Sequence, residues 1–195
     1  MSMNKAIHGA FRRDLNRFAT ALSGFRPGDV TRGNQLATAW ANFDDQLTHH
    51  HTGEHEIVWP TFTKLGVDPG LLATMAAEHE TMAEALADVR AAMPALTRTA
   101  SSDEVATTRG AIERLQQVTV AHLEHEEAEL ESVWREKRDT PEFKAMEQAL
   151  GKGSPAWAGR LIAWVTDGAS PAEMATIRHQ IPGPVLALVG GIFGR

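Results

Sequence analysis

The chain has 195 residues, 43% hydrophobic and 23% charged, proportions that suit a globular protein with one core and exclude a disordered or fibrous one. It has no cysteine, so thiolate metal sites, disulfide staples and cysteine nucleophiles are excluded, and any metal must be held by nitrogen and oxygen. A net charge of −6 without a long basic run argues against nucleic acid as a partner.

Four segments carry a helical period and are separated by turn signals. The first is expected from about Asn4 to Ser23, with His8, Phe11, Leu15, Phe18 and Leu22 on one stripe, and is broken by Gly24, Pro27 and Gly28. The second runs from about Thr31 to Lys64, with Leu36, Trp40, Phe43, Leu47, His50, Glu54 and Ile57 in phase. Pro60 should kink this helix or end it early, because proline lacks the amide donor and clashes with the preceding turn. The third opens at Asp68 and Pro69, a cap followed by a first-turn proline, and is expected to stop at Pro94. Its stripe is Leu72, Met75, His79, Met82, Leu86, Val89 and Met93. The fourth opens on a capping box from Ser101 to Glu104 and runs to about Lys137, with Ile112, Leu115, Thr119, His122, Glu126 and Val133 on one face.

Short connections of roughly four to ten residues favour antiparallel neighbours, and no strand-like alternation appears. The expected class is all-α, an up-down four-helix bundle over residues 1–138. From Thr140 onward the texture changes: Thr140-Pro141, Ser154-Pro155 and Ser170-Pro171 each read as a cap followed by a first-turn proline. Residues 139–195 are therefore expected to be short helices packed across the bundle rather than a domain of their own. The stretch around His8, Arg12 and Arg13 lacks the apolar core of a signal peptide. The apolar run from Pro182 to Phe193 is glycine-broken and too short to span a bilayer. The expectation is a cytoplasmic protein with no membrane partner.

Two copies of one spacing carry the chemistry: His50 with Glu54, and His122 with Glu126. Residues four apart on a helix stand on one face, so each pair aims an imidazole and a carboxylate at the same place. Phase sorts the other histidines. His8 and His79 fall on their own apolar stripes, whereas His51 and His55 lie about 100 degrees round from the inward face, in phase with Asp44 and Thr48, and are placed toward solvent. His125 and Glu129 drift toward the edge of the fourth stripe. The inward set is four imidazoles and two carboxylates: His8, His50, Glu54, His79, His122 and Glu126. Burying six such groups uncompensated would exceed what a marginally stable domain tolerates, and metal coordination resolves the difficulty. The donors suit iron, manganese or zinc, and they are too many for one tetrahedral zinc. The zinc-protease spacing is absent: Trp59, Ala83 and Glu129 stand where a second histidine would be required.

The order His, His-x-x-x-Glu, His, His-x-x-x-Glu on four helices resembles the hemerythrin HHE cation-binding domain. The neighbourhoods from His50 to Pro60 and from His122 to Leu130 are similar to that family's motifs, and the resemblance covers roughly residues 4 to 138. It implies two iron ions with an oxo or hydroxo bridge, zinc or manganese being lesser candidates. His8 and His50 would bind one iron, His79 and His122 the other, with Glu54 and Glu126 bridging. The chain departs from the oxygen carriers of that family at Ala83, where they have a second histidine on the third helix, and at Glu126 and Glu127, where they have an aspartate five residues after the last histidine. One metal short of a ligand has positions open to small molecules, and open positions favour reaction over storage. The expected function is a non-haem di-iron protein that binds or reacts with oxygen, peroxide or nitric oxide. Phe11, Phe43, Met75, Met82 and Leu115 are expected to line the pocket. With no tyrosine, Trp40, Trp59 and Trp134 are the aromatic candidates for electron donors. The alternative is an iron- or oxygen-sensing module in which the tail reports occupancy of the centre.

Overall fold

The computed structural model describes residues 1–193, and among these it is all-helical. Helix α1 spans Met3–Ser23 and α2 spans Val30–Gly53. A π-helical turn, Glu54–Val58, follows without a break and leads into α3, Trp59–Lys64. Helices α4, Pro69–Leu96, and α5, Ser102–Glu136, complete the long elements. Four short helices follow: α6, Pro141–Leu150; α7, Pro155–Thr166; α8, Pro171–Gln180; and α9, Gly183–Phe193. No helix among the described residues is long and apolar enough to cross a membrane.

Local chemistry accounts for the boundaries. The disturbance expected from Pro60 takes the form of the π-turn: the Trp59 amide reaches back to the Glu54 carbonyl, and Pro60 then sits in the first turn of α3, where a missing amide costs nothing. Helix α3 closes on Gly66, whose φ of 89° lets the Val67 amide reach the Phe62 carbonyl at 3.0 Å. Helix α4 does not stop at Pro94 but runs two residues further, to Leu96. A proline in a helix's last turn deprives only one carbonyl, here that of Arg90, of its donor, so it is tolerated. The capping box before α5 is present: the Glu104 amide donates to Ser101 Oγ at 3.3 Å and the Ser101 amide to Glu104 Oε2 at 2.8 Å. Thr140, Ser154 and Ser170 each cap the short helix that follows, accepting from the amides of Phe143, Trp157 and Glu173.

The chain divides into two compact units. The first contains Met1–Phe11, Thr52–Pro69 and the residues from Glu126 on. Its core joins Ala6 and Ala10 of α1 to Val165 of α7 and Ile177 of α8, with Leu161, Trp164 and Met174 packed around them. Small residues on α1 let the tail helices approach closely, and Phe11 meets Trp164 with ring centroids 4.9 Å apart. Phe62, Trp134 and Phe143 form a second aromatic row, with centroids 5.2 and 5.6 Å apart.

The second unit contains Arg12–His51 and Gly70–His125. Phe18 packs edge-on against both Trp40 and Phe43, at 5.8 Å each. Arg90 of α4 holds Asp44 of α2 at 2.6 Å and Thr48 at 2.8 Å, while His79 of α4 meets His51 of α2. Position rises on α2 as it falls on α4, so these two helices run in opposite senses. Helices α4 and α5 do the same, through Thr108 with Ala92, Arg114 with Asp88 and His122 with His79. At the start of α2, Gly33 lies so close to the Leu96 carbonyl that a Cβ there would stand 1.9 Å from its oxygen.

Candidate metal centre

In the first unit, α1 carries Asn4 and His8 one turn apart, both buried. His8 Nε2 lies 3.2 Å from Glu126 Oε2, and its Nδ1 lies 3.1 Å from Glu127 Oε1. Asn4 Nδ2 donates to the other Glu126 oxygen at 2.9 Å, which fixes the carboxylate's orientation. Glu127 is itself steadied by Lys5 at 3.1 Å. The carboxylate on Nδ1 sets the ring so that Nε2 faces Glu126, the arrangement that orients histidine ligands in metal sites.

Glu54 joins this group from the π-turn and is 2% exposed. Burial drives its pKa well above the ordinary carboxylate value, and the negative charge of Glu126 and a hydrogen bond shared with it push in the same direction. His8 is pulled both ways: burial lowers its pKa, but the charge and hydrogen bond of Glu126, together with Glu127, outweigh burial and raise it. Ligand atoms of His8, Glu54 and Glu126 lie within 4.8 Å of one another, so these three buried groups could hold a metal ion.

The second unit gathers imidazoles. His79 Nε2 and His122 Nε2 are 2.9 Å apart. The Nδ1 of His122 is held by Glu78 Oε2 at 2.8 Å, and the other Glu78 oxygen holds His125 Nδ1 at 2.7 Å. As with His8, a carboxylate on Nδ1 leaves Nε2 directed inward. His50 has its Nε2 buried and its ring 5.9 Å from that of His51; Glu54 follows it four residues on in the same helical run.

His51 departs from the sequence reading. It does not face solvent: it is half-buried and stacks on His79 with centroids 4.1 Å apart and planes 21° apart. The Asp44–His51 flank, expected to face solvent, is the seam with α4: Arg90 bonds Asp44 and Thr48 there, although Thr48 itself stays exposed. A helix packed between neighbours has more than one inward direction, which a single-stripe phase argument misses. His55, by contrast, is exposed. Ala83, where a further histidine was looked for, is exposed as well, and the buried position on that turn is Met82.

Sequence reasoning missed two orienting carboxylates. Glu78 and Glu127 sit one residue off the apolar stripes, and each acts on a histidine of another helix. Their adjacency to His79 and Glu126 was the one available signal. Of the expected pocket residues, Phe11 belongs to the first unit, whereas Phe43, Met75, Met82 and Leu115 are buried in the second.

The model of the hemerythrin HHE cation binding domain matches residues 3–148. No curated protein and no solved structure matches the chain.

Proposed function

The chain belongs to the hemerythrin HHE cation-binding domain family, and on that premise we propose that it holds two iron ions and binds or reacts with oxygen, peroxide or nitric oxide. The observation that carries this reading is the burial of two carboxyl groups, Glu54 and Glu126, against each other and His8. Carboxylates so placed repel unless a proton or a cation lies between them, and a cation pair offsets both charges.

In this reading His8 and His50 hold one ion, His79 and His122 the other, and Glu54 and Glu126 bridge them, in an up-down four-helix bundle with the tail packed against α1. His51, stacked on His79, supplies the donor that α4 lacks after His79. The iron pair contributes redox equivalents and open coordination positions when bound. The chain's own groups do the rest. Glu127 and Glu78 hold the Nδ1 atoms of His8 and His122, fixing both tautomer and ring orientation. Asn4 fixes one oxygen of Glu126 and leaves the other for the cation. Phe43, Met82 and Leu115, all nearly fully buried, exclude bulk water.

Metal analysis with an absorption spectrum tests this reading. Two irons per chain with near-ultraviolet charge-transfer bands are expected; a single zinc overturns it. Mixing the iron-loaded protein with peroxide, oxygen and nitric oxide then asks for reaction, and no change with any of them removes the reactive half of the proposal.

One observation favours a sensing role as well. The α1 face opposite His8 is covered by α7 and α8 through Ala6, Ala10, Val165 and Ile177, so ordering of His8 by metal transmits to the tail. Hydrogen exchange over residues 155–180 should slow on iron loading, and equal exchange with and without metal rejects this second reading.

A further inference from the structure

Two buried polar side chains in the second unit have no hydrogen-bond partner: Gln46, at both Oε1 and Nε2, and Thr119, at Oγ1. Gln46 is 2% exposed and Thr119 0%. Buried polar groups are rarely left unsatisfied, and those that are usually mark a site for water or a ligand.

Thr119 is unusual within its own chain. Thr38, Thr61, Thr63, Thr74, Thr108 and Thr176 each donate to the carbonyl four residues back, the usual resort of a helical hydroxyl. Thr119 makes no such bond and directs its hydroxyl elsewhere, in a place where water is scarce.

Both residues occupy equivalent positions. Gln46 lies one turn before His50 on α2, and Thr119 one turn before His122 on α5. Each of these helices runs opposite to α4, as the pairs Asp44–Arg90, His51–His79, His79–His122 and Asp88–Arg114 establish. Helices α2 and α5 therefore run in the same sense, which puts Gln46 and Thr119 on the same side of the histidine cluster. Helical side chains lean toward the N-terminus, so His50 and His122 lean toward these two groups. Phe43 and Leu115 close the next turn of each helix, and both are fully buried.

We propose that Gln46 and Thr119 form a hydrogen-bonding pocket for a small ligand of two to three heavy atoms, hydroperoxide in the cell, beside the histidines of the second unit. The amide offers two donors and an acceptor, and the hydroxyl one donor and two lone pairs. Such a pair retains a ligand that both donates and accepts, and disfavours an apolar diatomic that would leave the groups unsatisfied. The inference rests on the di-iron reading for the identity of what stands behind the pocket, but the pocket's own groups can be tested apart from it.

The test uses the full chain with Gln46→Met and Thr119→Val, near-isosteric changes that remove the polar atoms, singly and together. In the iron-loaded protein, metal content should stay at two per chain while azide affinity, titrated by absorbance, falls by roughly threefold to tenfold per change. In the metal-free protein the melting temperature should hold or rise, because an unsatisfied polar group is replaced by an apolar one. Thr119→Ser should keep azide affinity. Unchanged azide affinity at full metal content overturns the pocket, as does a lowered melting temperature of the metal-free variants, which would show these groups to be structural. A native chain that takes up no iron overturns the centre instead, and the metal-free melting comparison still decides the pocket.

Discussion

Replacing Glu54 by Gln separates what this carboxyl does for the fold from what it does for a cation. In the metal-free protein Glu54 is buried, shares a hydrogen bond with Glu126 and has a raised pKa, so it is protonated over a range where ordinary glutamates are charged. Its folded pKa lies above its unfolded value of 4.5. Its contribution to stability is therefore fully present below that value and is lost as pH rises through the raised one, at about 1.4 kcal/mol for each pH unit between the two. Glutamine copies the protonated acid in shape and can donate the same hydrogen bond, so the metal-free E54Q protein should match the native chain at pH 5 and exceed it at pH 9. With metal the order reverses. A ligand at about a hundred times its Kd stabilises the fold by roughly 2.7 kcal/mol, which at about 2–4 °C per kcal/mol for a chain of this size is a rise of some 5–10 °C in Tm. The native chain should show that rise and E54Q should lose most of it. Thermal melts at pH 5, 7 and 9, with and without ferrous iron, and iron content after desalting are the measurements. Metal content and a Tm rise equal to native in E54Q would refute the ligand role; a metal-free E54Q protein less stable than native at pH 9 would refute the shared-proton account.

Gly33→Ala brings a Cβ to 1.9 Å from the Leu96 carbonyl oxygen, and because that atom is backbone no rotamer relieves it; a loss of roughly 2 kcal/mol or more is expected in denaturant melts. His51→Ala should reduce iron content while His55→Ala leaves it unchanged, and equal iron in both would return His51 to the bystander role the phase argument gave it. Loading iron in a weakly buffered solution should release protons, because burial and Glu126 raise the pKa of Glu54 while Glu126 and Glu127 outweigh burial and raise that of His8; the release should shrink in E54Q, and no release at all would contradict both directions. Pro60→Ala should favour a continuous α-helix across the π-turn and lower iron affinity without lowering helix content by circular dichroism; unchanged affinity would make the π-turn incidental to the centre.

Much of this was legible in the sequence because it is local. The capping groups at Ser101, Thr140, Ser154 and Ser170 act on amides three residues away, and the stripes through Phe43, Leu47, Leu115 and Met82 each repeat within a single helix. Phase also selected six inward groups: His8, Glu54, His79, His122 and Glu126 are buried, and His50 is half-buried. What it could not read depends on neighbours. His51 is inward only because α4 lies along that flank, and Glu78 matters only because His122 and His125 come to it from another helix. Thr119 lay on the apolar stripe of α5, but a stripe does not reveal whether a hydroxyl has a partner. The end of α4 was misplaced for a different reason: proline is a strong stop in mid-helix and a weak one in a final turn.

Pro60 shows how an exposed residue with no ligand chemistry can position one that has it. Its ring nitrogen has no hydrogen for the Glu56 carbonyl, so a regular α-helix would leave that acceptor bare and bring the ring against it. The chain widens instead to the i→i+5 register, with the Trp59 amide on the Glu54 carbonyl. This register begins at Glu54, the carboxyl that lies against Glu126. In an unbroken α-helix the residues after His50 would keep the phase set by Leu47, and Val58 and Trp59 would be rotated relative to where they are now buried. The π-turn itself carries Glu54 and Val58, both buried, and Trp59 and Phe62 just beyond it are buried as well. π-turns are uncommon and concentrate at functional sites, and here the cause is visible in the sequence: a proline six residues after a carboxylate that the first unit buries with His8.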